Sequence, residues 1–208
     1  MPSDHAAQVR RALQDAVVVF LATGDAIDPS MWDRPATDRW TVRLLFAHVV
    51  RGMSVFAELL DGDREPTGPV LDDAAAYFRT ALALDGIHEG IAERASTAAS
   101  VAPDDLMGWA REVADGMLAR AEATGDDRVL VHFAGRIRVG EYLVTRVAEV
   151  VLHTFDLQQA CGLGIEAPAT ALALVNPFLL DLADRADPTA LALALTGRRP
   201  PVPCDVLG

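Results

Sequence analysis

Cysteine is scarce, with only Cys161 and Cys204 in 208 residues. Two thiols in a chain this long make no disulfide framework, so a reducing, cytoplasmic setting is expected. Long apolar runs are missing too. The most extended, such as Ala16 to Ala22, fall far short of the roughly 20 residues a bilayer span requires, and no membrane segment is expected. The N-terminus, Met1-Pro2-Ser3-Asp4-His5, lacks the basic region, apolar stretch and small-residue cleavage site of a secretory signal. Positive charge is in deficit, since 18 basic residues face 30 acidic ones for a formal charge of -12. Such a surface repels phosphate backbones and anionic lipid, so neither nucleic acid nor a membrane is an expected partner. Internal repeats and low-complexity linkers are also absent.

What is present is apolar patterning at helical spacing. After a capping Ser3 or Asp4, the positions of Val9, Leu13, Val17, Phe20 and Leu21 predict a helix ending near Gly24. Asp28-Pro29-Ser30 and Arg34-Pro35-Ala36 mark a loop, in which Trp32 and Trp40 read as clamps onto the helical body. Thr41 is placed to cap a second helix, Val42 to Leu60, whose broad apolar face includes Leu45, Phe46, Val49, Met53 and Phe56. An alanine-rich stretch through Tyr77, Phe78, Leu82 and Ile87 is expected to be one peripheral helix. Pro103-Asp104 restarts a helical pattern through Leu106, Trp109, Val113 and Met117, a better candidate for the core. Between Asp126 and Gly140 the period falls toward two, which predicts a short extended segment or hairpin near 128–139. A helix from Glu141 to Cys161 follows and stops at Gly162. Pro168 opens another, interrupted or kinked at Pro177 and ended near Asp187-Pro188. The chain therefore reads as mainly α, with one bundle over residues 1–165 and a C-terminal helical extension, 166–208, packed on it. Spare apolar surface on a bundle helix leaves room for a homodimer.

The helix from Glu141 carries the chemistry. A helix turns about 100° per residue, so Arg146, Glu149, His153 and Asp156, spaced 3, 4 and 3 apart, fall on one narrow stripe. Val144, Val147, Val150, Val151, Leu152, Phe155 and Leu157 surround it, placing a carboxylate and an imidazole one turn apart in apolar company. Alone, Glu149 and His153 read more simply as a side-chain pair on a solvated face. His48 sits within the apolar pattern of the second helix, and Gly52 lies one turn beyond it. A glycine there costs about 1 kcal/mol of helix stability relative to alanine, which points to a need for space beside the histidine. Two imidazoles and one carboxylate are a known ligand set for catalytic zinc with an open fourth position. The site would carry about +1 net charge and attract an anion. Asp156 could orient His153 or form a simple salt bridge. Arg146 could hold a ligand carboxylate or neutralise Glu149. Cys161 lies about 80° around the helix from His153 and reads as structural. His132 belongs to the extended segment and could approach the site, whereas His5 and His88 read as surface residues.

Trp40-Thr41-Val42-Arg43 followed by His48, together with Arg146-x-x-Glu149-x-x-x-His153-x-x-Asp156-Leu157 and the later Ala160 and Gly162, resembles the mycothiol-dependent maleylpyruvate isomerase family of the DinB-like superfamily. The likeness runs from the first helix through the stripe-bearing one. It implies a DinB-like four-helix bundle with extra peripheral helices, whose divalent metal, usually zinc but in principle another such as nickel, is held by His48, Glu149 and His153. Arg146 and Asp156 become candidates for contact with a bound cosubstrate. The implied activity is a metal-dependent thiol transferase or isomerase, with mycothiol as the low-molecular-weight thiol and a small electrophile as its partner. Two other readings use the same residues: a hydrolase that activates water at the metal, and a metal-binding sensor or interaction module without catalysis.

Overall fold

Short polar side chains start three of the helices. Thr41 Oγ1 accepts the Leu44 N–H at 3.3 Å, Asp73 accepts that of Ala76 at 2.7 Å and Asp105 that of Gly108 at 2.8 Å. Each side chain satisfies a backbone donor that a first helical turn leaves without a partner. In the computed structural model of the chain, which describes residues 4–37, 40–62, 68–186 and 196, these caps open α2 (Val42–Asp61), α3 (Ala74–Leu82) and α5 (Leu106–Ala123). The other elements are α1 (Asp4–Ala26), β1 (Val70–Leu71), α4 (Ile87–Val101), β2 (Val129–His132), β3 (Gly135–Arg138), α6 (Val139–Ala160) and α7 (Ala169–Ala186).

Four helices close the bundle expected of a DinB-like chain. Both α1 and α2 pack on α5 and on α6, so the four apolar faces converge on one core. Phe20 of α1 stacks on Phe46 of α2 with ring centroids 4.8 Å apart, and Phe56 of α2 stacks on Tyr142 of α6 at 6.0 Å. Burial of each such ring contributes about 1.5–3 kcal/mol. Gly24 does not end α1, which continues to Ala26. A Cβ at Gly24 would stand 2.8 Å from Phe46 Cε2 and 2.7 Å from Met107 Sδ, so the glycine lets α1 approach α2 and α5 closely.

The remaining helices coat the bundle. The stretch expected to be one peripheral helix is two, α3 and α4, divided where Gly86 adopts φ 70°. A left-handed residue breaks the helix at little cost only when it is glycine. Nor is α3 peripheral, because Tyr77 and Phe78 are buried. Helix α4 lies along α2, and α7 packs on α1, α6 and α3. Pro177 stands inside α7 without interrupting it. Ala171, Val175, Phe178 and Leu182 of α7 belong to the same apolar core as the bundle. The tail beyond Ala186, Thr196 apart, lies outside the described residues, and Cys204 with it.

The extended segment near 128–139 is an antiparallel hairpin, β2 and β3, with Leu130 opposite Ile137 and His132 opposite Gly135. A third strand, β1, joins β3 in parallel and gives the order β1-β3-β2. The sheet delivers the chain straight into α6. Glu141 at the start of α6 accepts the Ala74 N–H at 3.1 Å, which ties α6 to the first turn of α3. At its far end α6 stops as a Schellman turn: Gly162 has φ 67°, and the Leu163 N–H reaches the Gln158 carbonyl at 2.8 Å. Among the described residues, no helix is long and apolar enough to cross a membrane.

Candidate metal centre

The middle of α6 is buried on nearly every side, and its polar stripe faces α2 rather than solvent. Arg146 and His153 are buried, and Glu149 is half-buried. From α2, His48 meets them. His48 Nε2 lies 3.6 Å from Glu149 Oε2, and His153 Nε2 lies 3.4 Å from the same oxygen. One ligand atom from each of the three residues falls within 4.8 Å of the others. Around a tetrahedral zinc with bonds of about 2.0–2.1 Å, ligand atoms stand roughly 3.3–3.4 Å apart. The two nitrogen-to-oxygen separations are close to those of one coordination sphere, and the donor set suits a divalent cation. His48, Glu149 and His153 form a group able to hold a metal ion.

Neighbouring side chains fix this geometry. His153 Nδ1 lies 3.1 Å from Asp156 Oδ2, so its N–H at that position donates to the carboxylate and Nε2 is left to face Glu149. This is how ligating histidines are commonly oriented. Arg146 places Nη2 3.9 Å from Glu149 Oε1, donates from Nε to Thr145 Oγ1 at 3.2 Å and sets its guanidinium 4.9 Å from the Tyr142 ring centroid. Trp40, read as a clamp, packs against the bundle core and also covers the site: its ring lies 4.6 Å from that of His48 and 6.0 Å from that of His153. Gly52 provides the space it was expected to provide, but for a different residue. A Cβ there would stand 3.3 Å from Arg146 Nη1, so the room serves the guanidinium and not the imidazole.

Protonation follows from these contacts. Burial pushes His48 below the ordinary histidine value despite its hydrogen bond with Glu149, so it is neutral at pH 7. Burial also opposes charge on Glu149, but hydrogen bonds from His153 and His48 and the Arg146 charge outweigh it and hold the carboxyl well below its usual range. Burial opposes charge on His153 too, yet its bonds to Asp156 and Glu149 dominate and push it up to about 9. Without metal, Glu149 and His153 are therefore an ion pair. A cation must displace the His153 proton to bind.

The site opens into a cavity of about 580 Å³ lined by His48, Glu149, Arg146, Tyr77, His132 and Tyr142, with further arginines toward α4 and the hairpin. His132 is not within the ligand group. Its Nδ1 lies 3.0 Å from the Tyr77 hydroxyl, on another part of the wall. Tyr77 and Tyr142 are functional candidates that sequence reasoning missed. The only hint of them was aromatic side chains on helices otherwise rich in alanine and valine. Cys161 lies outside the site, partly buried, with its thiol raised by that burial. His5 is exposed, and the side chain of His88 lies outside the described residues.

The family described as Mycothiol maleylpyruvate isomerase N-terminal domain matches residues 5–158. The chain belongs to this family. The match begins in α1 and ends in α6 just past His153, so the family domain contains all three residues of the ligand group. Helix α7 lies beyond it. No curated protein and no solved structure matches the chain.

Proposed function

We propose that this member of the family is a divalent-metal-dependent thiol transferase or isomerase that uses mycothiol, with zinc the metal best suited to two imidazoles and a carboxylate. The observation that carries this reading is the juxtaposition of the ligand group, with its atoms within 4.8 Å of one another, and a cavity of about 580 Å³ that His48 and Glu149 line. A cavity of that size takes a small organic molecule. A divalent cation held there would lower the pKa of a coordinated thiol and so keep it ionised near neutral pH.

The remaining work falls to the chain's own side chains. Asp156 fixes the tautomer of His153 so that Nε2 points at the site. Arg146 balances the Glu149 charge inside the bundle. Trp40 covers the two imidazoles on one side. The open cavity wall is left to position an electrophile against the thiol, and bringing the two reactants together is itself a large part of the acceleration such a reaction needs.

The test is thiol consumption by the zinc-loaded protein with maleylpyruvate or chlorobimane as electrophile. Turnover that is lost in His48→Ala supports the reading. A wild-type rate no higher than that of His48→Ala would refute it, and turnover without any added thiol would instead indicate hydrolysis.

A further inference from the structure

The cavity reverses the charge of the protein around it. Five arginines line it, Arg51, Arg94, Arg128, Arg136 and Arg146, against two carboxylates, Glu58 and Glu149, in a chain whose net charge is -12. Two of the five are committed. Arg51 forms a two-pronged pair with Glu58 at 2.7 and 2.8 Å, and Arg146 serves Glu149. The other three line the cavity from separate elements: Arg94 from α4, Arg128 from the approach to β2 and Arg136 from β3. Arg128 Nη2 donates to the Leu60 carbonyl at 2.5 Å, Arg136 Nη1 donates to the Gly68 carbonyl at 3.0 Å, and the Arg94 guanidinium lies 5.4 Å from the Phe133 ring centroid. Among the described residues, none of the three has a carboxylate within ion-pair distance.

A second observation points the same way. Among the described residues, two buried side-chain polar atoms have no hydrogen-bond partner, Arg136 Nε and the Tyr142 hydroxyl, and both residues line this cavity. A buried donor left so costs about 1–3 kcal/mol. Both can donate, and an acceptor-rich anion in the cavity meets them once the side chains turn toward it. Every basic residue in the chain is an arginine. The planar guanidinium matches carboxylate and phosphate oxygens two at a time, which a lysine does not.

We propose that Arg94, Arg128 and Arg136 form an oxyanion-binding wall, separate from the metal-ligating residues, that seats an organic acid carrying a carboxylate or phosphate group. The role of this wall in holding the second reactant rests on the function proposed above, whereas anion binding itself does not. With its oxyanion on the arginines, such a reactant turns the rest of its skeleton toward His48 and Glu149 in the same cavity.

Calorimetric titration of the full-length, zinc-loaded protein with succinate, inorganic phosphate and the neutral analogue succinamide tests the wall. Saturable binding of succinate, phosphate or both is expected, with succinamide weaker by about tenfold or more, a difference of about 1.4 kcal/mol. Arg94→Glu, at an exposed position, and Arg136→Gln should each weaken anion binding by about tenfold or more, while Arg11→Gln on the outer face of α1 leaves it unchanged. Succinate alone binding would assign a carboxylate, and phosphate alone a phosphate ester. Failure of both anions to bind, or equal affinity in wild type and both cavity variants, would overturn the proposal. No anion binding by a protein that still consumes thiol would remove the wall and leave the proposed function standing. Arginine-dependent binding without thiol chemistry would establish the wall alone.

Discussion

Gly52 on α2 and Arg146 on α6 share one space, since a Cβ on the glycine would stand 3.3 Å from the arginine's Nη1. Alanine at position 52 would improve helix propensity by about 1 kcal/mol, but the guanidinium it crowds must give by a few tenths of an ångström while it is held against Tyr142 and Thr145. Overpacking of this kind costs about 1–3 kcal/mol. Gly52→Ala is therefore expected to destabilise the protein, and to become neutral or stabilising when combined with Arg146→Met. Urea melts of the two single variants and the double variant measure the coupling. Additive effects would show that the two residues do not compete for the space.

Asp156 orients His153 from a position that leaves its side chain 40 % exposed, so its removal should spare the fold. Asp156→Asn is expected to weaken metal affinity by about 10–100-fold, the usual effect of losing a carboxylate behind a ligating imidazole. Competition against a chelator of known affinity gives the number. Unchanged affinity would reduce Asp156 to a surface salt bridge.

The pH dependence of stability follows from His153 and Glu149. In the metal-free protein His153 titrates at about 9, above the value of about 6.5 for an unfolded histidine. Its stabilisation is thus fully present below about pH 6.5 and is lost as pH rises through 9. Glu149 is held well below an unfolded glutamate, so its contribution is present above about pH 4.3 and is lost on acidification. The metal-free Tm is expected to be highest between these limits. Metal binding must remove the His153 proton, so the Tm difference between zinc-loaded and metal-free protein should widen from pH 6.5 to 9. Thermal melts in matched buffers across that range test this, and a flat or narrowing difference would contradict it.

Chelation should leave the bundle standing. Its core is built from Phe20, Phe46, Phe56, Met53 and Leu143, which owe nothing to a metal. Relative to protein at a metal concentration 100 times Kd, a chelator is expected to lower stability by the linkage energy of about 2.7 kcal/mol, read as a lower Tm, with helical circular dichroism intact at 25 °C. Loss of helix at that temperature would make the metal structural instead.

The bundle was legible because α1, α2, α5 and α6 each keep a helical spacing of apolar residues, and because Thr41 and Gly162 carry strong start and stop chemistry. The stripe on α6 was legible for the same reason, since spacings of 3 and 4 place side chains on one face whatever the tertiary context. Tertiary context was needed for the rest. The division of α3 from α4 turns on a single left-handed Gly86 within an alanine-rich run. The two-residue β1 is too short to show a period, and its parallel partner lies more than 60 residues on. Trp40 reads as a clamp and does pack on the core, but nothing in a loop sequence says that its ring also covers His48 and His153. The arginines of the cavity are scattered from Arg51 to Arg146, and only the packing of α2, α4, α6 and the hairpin brings them to one cavity.

Elemental analysis of the purified protein beside His48→Ala and His153→Ala tests the ligand assignment most directly. About one divalent metal per wild-type chain is expected, with loss of most of it in either variant, because each removes one of the three residues of the ligand group. Stoichiometric metal retained in both variants would contradict the site described here.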